Sequence, residues 1–108
     1  MSAGTSTTAF RTLGDAGKLR DNDVNAYYLN DLKHRVSVAR IGGKLFAFDD
    51  IYEGYPLSAG LLRGTTLMSQ YDGSQFDVET GIVLRGPATA VLKTYDVREQ
   101  DGKIQVQL

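Results

Sequence analysis

The sequence predicts an all-β domain, built as a sandwich or a partly open barrel. Three observations point there. Short runs alternate apolar and polar residues, as in "KIQVQL" at 103–108, where Ile104, Val106 and Leu108 share one face and Lys103, Gln105 and Gln107 the other. Glycine-containing turns separate such runs at roughly the 8–12-residue spacing of sandwiches and barrels. No segment keeps apolar residues at the helical period for roughly ten residues or more.

The elements follow in order. "MSAGTST" at 1–7 is small and polar and reads as a flexible tail. It lacks the basic segment and apolar core of a secretory signal. "GDAGKLR" at 14–20 has room for a single helical turn at most. "VNAYYL" at 24–29 is a strand, and 30–34 turn the chain back. "RVSVARIGGKLFAFDD" at 35–50 is a hairpin: Val36 and Val38 lead to Gly42-Gly43, and Leu45 to Phe48 return. "DDIYEGYPLSAGLLRG" at 49–64 reads as a long loop carrying two tyrosines, and such loops in compact domains are commonly functional. "TTLMS" at 65–69, "QFDV" at 75–78 and "IVL" at 82–84 are short strands punctuated by Gly64, Gly73 and Gly81. "TYDVR" at 94–98 and the closing run flank Gln100-Asp101-Gly102, and Asp-Gly is a strong hairpin signal.

At 108 residues the chain is sized for one domain, 1–108, that buries its core without staples. A net charge of −1, from 12 basic and 13 acidic residues, argues against nucleic acid held through phosphates and against a basic membrane-surface patch. Cysteine is absent, which removes disulfides, thiol redox chemistry and thiolate-held zinc or iron–sulfur sites. No apolar run reaches the ~18–20 residues of a membrane span. A cytoplasmic location is expected.

The succession "GGKLFAFDD", "PLSAGLL", "GSQFDVETGIVLRGPATAVLKTYDV" and "DGKIQV" resembles the Rieske ferredoxin family over residues 36–106. Its most specific part is 73–92, with Gly73, the Phe76-Asp77 pair, the Thr80-Gly81 turn and Gly86-Pro87-Ala88. Each also has a structural reason to be there: Thr80-Gly81 suits a turn with positive φ, Pro87 a bend or sheet edge, and Phe76 a core. The resemblance implies a Rieske-type β-sandwich or partly open barrel. Two loops would form the former cluster-binding tip, within a former cluster-binding subdomain at 46–80.

Rieske proteins hold a [2Fe–2S] cluster through two Cys on one iron and two His on the other. In the second loop the resemblance places those ligands at Ser69 and Asp72. In the first they fall at Asp50 and Tyr52 when counted back from Pro56-Leu57, whereas counted forward from Phe46 to Asp50 the loop is short by about two residues, and under either count none is Cys or His. A serine hydroxyl stays protonated near neutral pH, and a hard carboxylate does not hold a sulfide-bridged cluster as soft thiolates do. No cofactor and no metal are expected. The one histidine, His34, reads as a surface residue outside both loops. Tyr52, Tyr55 and Tyr71 each bring a large ring with a polar tip and are expected to fill or cover the vacated space. With Pro56 and Leu57 they form the expected interaction tip.

Other chemistries draw on the same residues. Asp49, Asp50, Glu53, Asp72 and Asp77, with the phenols of Tyr52 and Tyr71, supply oxygens for a hard cation or a ferric phenolate. Loop acids of this kind are more commonly just solvated. Hydrolysis at Ser58, Ser69 or Ser74 has no base but His34, far away in sequence. The Gly81 to Gly86 spacing lacks the Lys-Ser/Thr of a phosphate loop. Arg35, Arg40, Arg63, Arg85 and Arg98 read as solvated strand faces.

The resemblance therefore implies a non-enzymatic, Rieske ferredoxin-like protein without its [2Fe–2S] ligands. Its parent would carry electrons to an oxygenase or related oxidoreductase. The alternative is a cluster-free interaction subunit of a larger oxidoreductase, similar to the small subunit of nitrite reductase. Both give a domain with no redox centre of its own.

Overall fold

The structure is a computed structural model that describes residues 9–108; the tail expected at 1–7 lies outside them. Its strands are β1 (Phe10–Asp15), β2 (Val24–Leu29), β3 (His34–Ile41), β4 (Lys44–Asp49), β5 (Ile51–Tyr52), β6 (Tyr55–Pro56), β7 (Leu61–Arg63), β8 (Thr66–Met68), β9 (Gln75–Asp77), β10 (Val83–Arg85), β11 (Thr94–Gln100) and β12 (Lys103–Gln107). Single 3-10 turns cover Ala16–Lys18 and Leu57–Ala59.

Six strands form one antiparallel sheet in the order β1-β12-β11-β4-β3-β2. Its two edges approach each other. Arg11 of β1 is ion-paired with Asp31, just past β2, and Gly14 of β1 lies against the Tyr27 ring of β2. The sheet is thus a nearly closed barrel, the architecture expected from the alternating runs. Its hairpins obey the turn rule: Asp101 and Gly102 both have positive φ, at 54° and 74°, as the tight β11–β12 connection requires.

The barrel interior holds Leu19, Val36, Val38, Ala47, Ile104 and Val106. Burying each of the larger apolar side chains contributes about 1.5–3 kcal/mol. A four-stranded sheet, β10-β9-β8-β7, packs over a second cluster. Its paired Leu67 and Phe76 join Phe48, Leu57, Val78 and Leu92 there, with Leu62 and Val83 packed alongside. β3 serves both clusters, so residues 36–39 are buried without a break.

Some expectations change. The stretch at 49–64 is not one loop: it contains the β5–β6 hairpin, a 3-10 turn and β7. The turn at 30–34 ends one residue early, because His34 already pairs with Leu29. Strand β1 carried no recognised alternation. Arg40 is not on a solvated face. It donates to the carbonyls of Leu19 (2.8 Å) and Ala16 (3.0 Å) and pairs with Glu99, tying the 16–19 segment to the barrel.

Candidate functional site: two loops joined by tyrosines

The first loop is organised by Asp50, which is fully buried. Its backbone carbonyl accepts from Leu57 N at 2.7 Å and closes the loop. Its Oδ1 accepts from Ser37 Oγ (2.7 Å) and from Ser58 N (2.9 Å). Oδ2 faces Arg35 Nε at 2.8 Å as an ion pair but accepts no hydrogen bond. A buried charge with this set of partners is an anchor, contrary to the expectation of a solvated acid.

Tyr52 points its ring into the second core cluster, edge-on to Phe76 at 4.8 Å. Its hydroxyl donates to the Ala90 carbonyl (2.6 Å) and accepts from Ala90 N (3.1 Å). Burial, then the nearby Glu53, push its pKa up.

The second loop is a tight turn. Ser69 N donates to the Ser74 carbonyl (2.8 Å), Gly73 N to the Ser69 carbonyl (3.1 Å) and Tyr71 N to Ser69 Oγ (3.0 Å). Ser74 Oγ, buried, accepts from Ala88 N at 2.9 Å. Asp72 Oδ1 accepts from Ser74 N (2.9 Å) and Oδ2 from the Tyr55 hydroxyl (2.8 Å). These two donors, the Ser74 amide first, hold the Asp72 carboxyl below the usual carboxylate range.

That Tyr55–Asp72 bond joins the two loops, and aromatic stacking reinforces it. Tyr55 and Tyr71 lie 4.9 Å apart with an interplanar angle of 29°, and Tyr52 is 6.2 Å from Tyr55. The rings run from surface to core: Tyr71 is 64% exposed, Tyr55 half-buried, Tyr52 6% exposed and Phe76 fully buried. The loops lie side by side, with Tyr52 filling the interior and Tyr71 covering the outside.

Of the five residues expected at the tip, Tyr55, Pro56 and Tyr71 reach the surface. Tyr52 and Leu57 are buried and unable to meet a partner, a correction that follows from the inward turn of β5 and of the 3-10 turn after β6. Ile51, opposite Pro56 and 47% exposed, belongs to this surface and was missed. Its alternation with buried Tyr52 was the available signal. Glu53 and Asp72 give the surface an acidic flank.

The four positions do not fit a [2Fe–2S] cluster. Asp50 is bonded to β3 and its own loop, Tyr52 to Ala90, Ser69 within its turn, and Asp72 to Ser74 and Tyr55. Their polar atoms serve separate partners, and the set contains no thiolate or imidazole. The hard-cation alternative fares no better. Asp49 is bonded to His34 and Tyr95, Asp77 to Glu79 N, and no group of three His, Asp or Glu among the described residues is placed to hold a metal ion.

His34 keeps a partly exposed side chain outside both loops, but it is bonded. Its Nε2 lies 2.8 Å from Asp49 Oδ1 and 3.2 Å from the Tyr95 hydroxyl, which itself donates to Asp49 at 2.5 Å. The histidine therefore sits at the base of the first loop, next to the residue that precedes Asp50. Burial, then Asp49, raise the Tyr95 pKa strongly. None of Ser58, Ser69 and Ser74 is bonded to His34.

No protein-family model matches the sequence, and no curated protein sequence matches it. Solved structures do match. The ferredoxin of Sphingomonas yanoikuyae B1 superposes with a TM-score of 0.84 at 24% identity, covering 93% of this chain and 99% of that one. A chain in the complex of reduced oxygenase and oxidised ferredoxin in carbazole 1,9a-dioxygenase gives 0.83 at 22% identity, covering 94% of each. The terminal oxygenase of carbazole 1,9a-dioxygenase from Novosphingobium sp. KA1 gives 0.78 at 21%, covering 94% of this chain but 30% of the oxygenase. The chain thus has the Rieske-type ferredoxin fold, a fold shared by a free ferredoxin and by part of a larger oxygenase chain.

Proposed function

We propose that this chain is a Rieske ferredoxin-like domain that has lost its [2Fe–2S] cluster and acts by contact instead of by carrying electrons. One observation carries the reading: each of Asp50, Tyr52, Ser69 and Asp72 is committed to hydrogen bonds inside the protein. Protein contacts hold the two loops where the parent would use metal. Residues 46–80 are then the former cluster-binding subdomain. The parent function is ferredoxin-type electron transfer to an oxygenase, a reading supported by likeness to a chain of an oxygenase–ferredoxin complex.

The partner is a larger oxidoreductase, an oxygenase component first among candidates. The contact surface is Ile51, Tyr55, Pro56 and Tyr71, flanked by Glu53 and Asp72. An aromatic centre with a polar rim suits such an interface. The domain catalyses nothing itself, works in the cytoplasm and binds neither nucleic acid nor membrane. Among the described residues, no helix is long and apolar enough to cross a membrane. A second reading, a permanently attached cluster-free subunit, draws support from the same fold occurring inside a larger oxygenase chain.

Anaerobic incubation with ferrous iron and sulfide, followed by desalting, tests the cluster. The expected product is colourless and iron-free. A red-brown chain with near-stoichiometric iron and acid-labile sulfide overturns the reading. Co-expression with the oxygenase component of its own host tests the contact. The expected complex co-elutes in size-exclusion chromatography and is lost in Tyr71→Glu; co-elution unaffected by that change removes the tip from the interface.

A further inference from the structure

We infer that Tyr55 and Tyr71 form a site of oxidative tyrosine cross-linking, at which a one-electron oxidant joins the two rings and staples the two loops together. The oxidant class is a peroxidase ferryl haem supplied with hydrogen peroxide, or a photogenerated ruthenium(III) complex. The inference stands on the geometry of the pair and holds whether or not the domain descends from a cluster carrier.

Three features single out this pair. The rings come from different loops yet stack with their centroids 4.9 Å apart at an interplanar angle of 29°. Tyr71 is 64% exposed, so a soluble oxidant reaches it. Tyr55 donates to Asp72 Oδ2 at 2.8 Å, and a phenol that loses an electron becomes a strong acid whose proton passes to that carboxylate. Burial, then the bond to Asp72, raise the Tyr55 pKa, so the residue is a neutral phenol that needs such an acceptor. Tyr52 competes poorly. It lies 6.2 Å from Tyr55 and its hydroxyl donates to a backbone carbonyl, which is no base.

The step balances. Each phenol gives up one electron and one proton, and two oxidising equivalents each take up one electron. The Tyr55 proton goes to Asp72 and the Tyr71 proton to water. The two ortho carbons then bond, and their ring protons move to the phenolic oxygens to restore aromaticity. The chain ends lighter by two hydrogen atoms. The result is a covalent staple that needs no cysteine, in a chain that has none.

The test treats the full chain at low concentration with peroxidase and hydrogen peroxide, and separately with the ruthenium photo-oxidant. Intact mass, dityrosine fluorescence and peptide mapping are read. The expected product is a monomer lighter by two hydrogens, with one cross-linked peptide holding Tyr55 and Tyr71 and an unfolding midpoint raised by on the order of 10 °C. Tyr55→Phe and Tyr71→Phe each reduce the intrachain product to background, Tyr52→Phe leaves it intact, and Asp72→Asn lowers its yield. Products formed only between chains, a bond to a different tyrosine, or full yield in Tyr55→Phe overturn the site. Full yield in Asp72→Asn overturns the proton route.

Discussion

Ser37 Oγ donates to Asp50 Oδ1 across 2.7 Å, at a point where both residues are 0% exposed. This bond fixes the first loop to the barrel wall, because the same oxygen also holds Ser58 N. Asp50→Ala leaves Ser37, the Ser58 amide and Arg35 without their partner. The expected cost is about 3–5 kcal/mol, as when one member of a buried pair is removed. Asp50→Asn keeps an acceptor for Ser37 and is expected to cost about half as much. Urea unfolding of the two variants measures the difference.

The aromatic series grades stability by depth. Tyr52→Ala empties a ring-sized space against Phe76 and is expected to cost about 3–5 kcal/mol. Tyr71→Ala removes an exposed ring whose main contact is the stack on Tyr55, worth about 0.5–1.5 kcal/mol. Equal losses in thermal or denaturant unfolding would show that Tyr71 packs as deeply as Tyr52.

The strands were legible where alternation and turn chemistry agree. Ile104 and Val106 are both fully buried, and the hairpin turns at Asp101-Gly102. β5, β6 and β7 were not: β5 and β6 have two residues each, too few to show a period, and all three fall inside the stretch at 49–64 that reads as one loop. The gathering of Tyr55 and Tyr71 followed from the resemblance, which placed their loops together. The role of Asp50 was hidden: Asp49-Asp50 looks like a solvated acidic pair, while its partners Ser37 and Arg35 lie on another strand. The bonds of His34 were hidden for the same reason. Its partners Asp49 and Tyr95 are 15 and 61 residues away, and a lone histidine gives no hint of either.

Gly81 is a position where no side chain is tolerated. Its φ is +83°, and an added Cβ would lie 2.0 Å from the Leu92 carbonyl oxygen. The contact cannot open easily, because Leu92 N donates to the Gly81 carbonyl at 2.8 Å and Leu92 itself is buried in the second cluster. Gly81→Ala combines left-handed strain with displacement of that segment and is expected to cost about 3 kcal/mol or more. Circular dichroism melts of the purified variant check this.

Folding is expected to be independent of metal. The barrel cluster of Leu19, Val36, Val38, Ile104 and Val106 contains no residue of either tip loop, and the loops are closed by their own hydrogen bonds. A strong chelator should leave both the midpoint and the cooperativity of thermal unfolding unchanged. A chelator-induced shift would mean that a metal outside the proposed chemistry supports the native state.

The pH dependence of stability separates the tip from the barrel. The Asp72 carboxyl is held below its ordinary value by the Ser74 amide and the Tyr55 hydroxyl. Its contribution is therefore fully present above the unfolded value of about 3.9 and is lost as pH falls through the lower folded value. Asp15, lowered chiefly by Lys103, adds to the same acid limb. Asp72→Asn should flatten that limb in part, leaving the share of Asp15. Tyr95 titrates in the opposite sense. Burial and Asp49 raise its pKa, so its contribution is fully present below the unfolded value of about 10 and is lost as pH rises towards the folded one. Tyr52 and Tyr55 are raised as well and share this limb. Tyr95→Phe should therefore weaken the alkaline decline without touching the acid one. Unfolding free energies measured across both limits for the two variants decide it: an acid limb unchanged in Asp72→Asn would show that the carboxylate linking the two loops is not what acid removes.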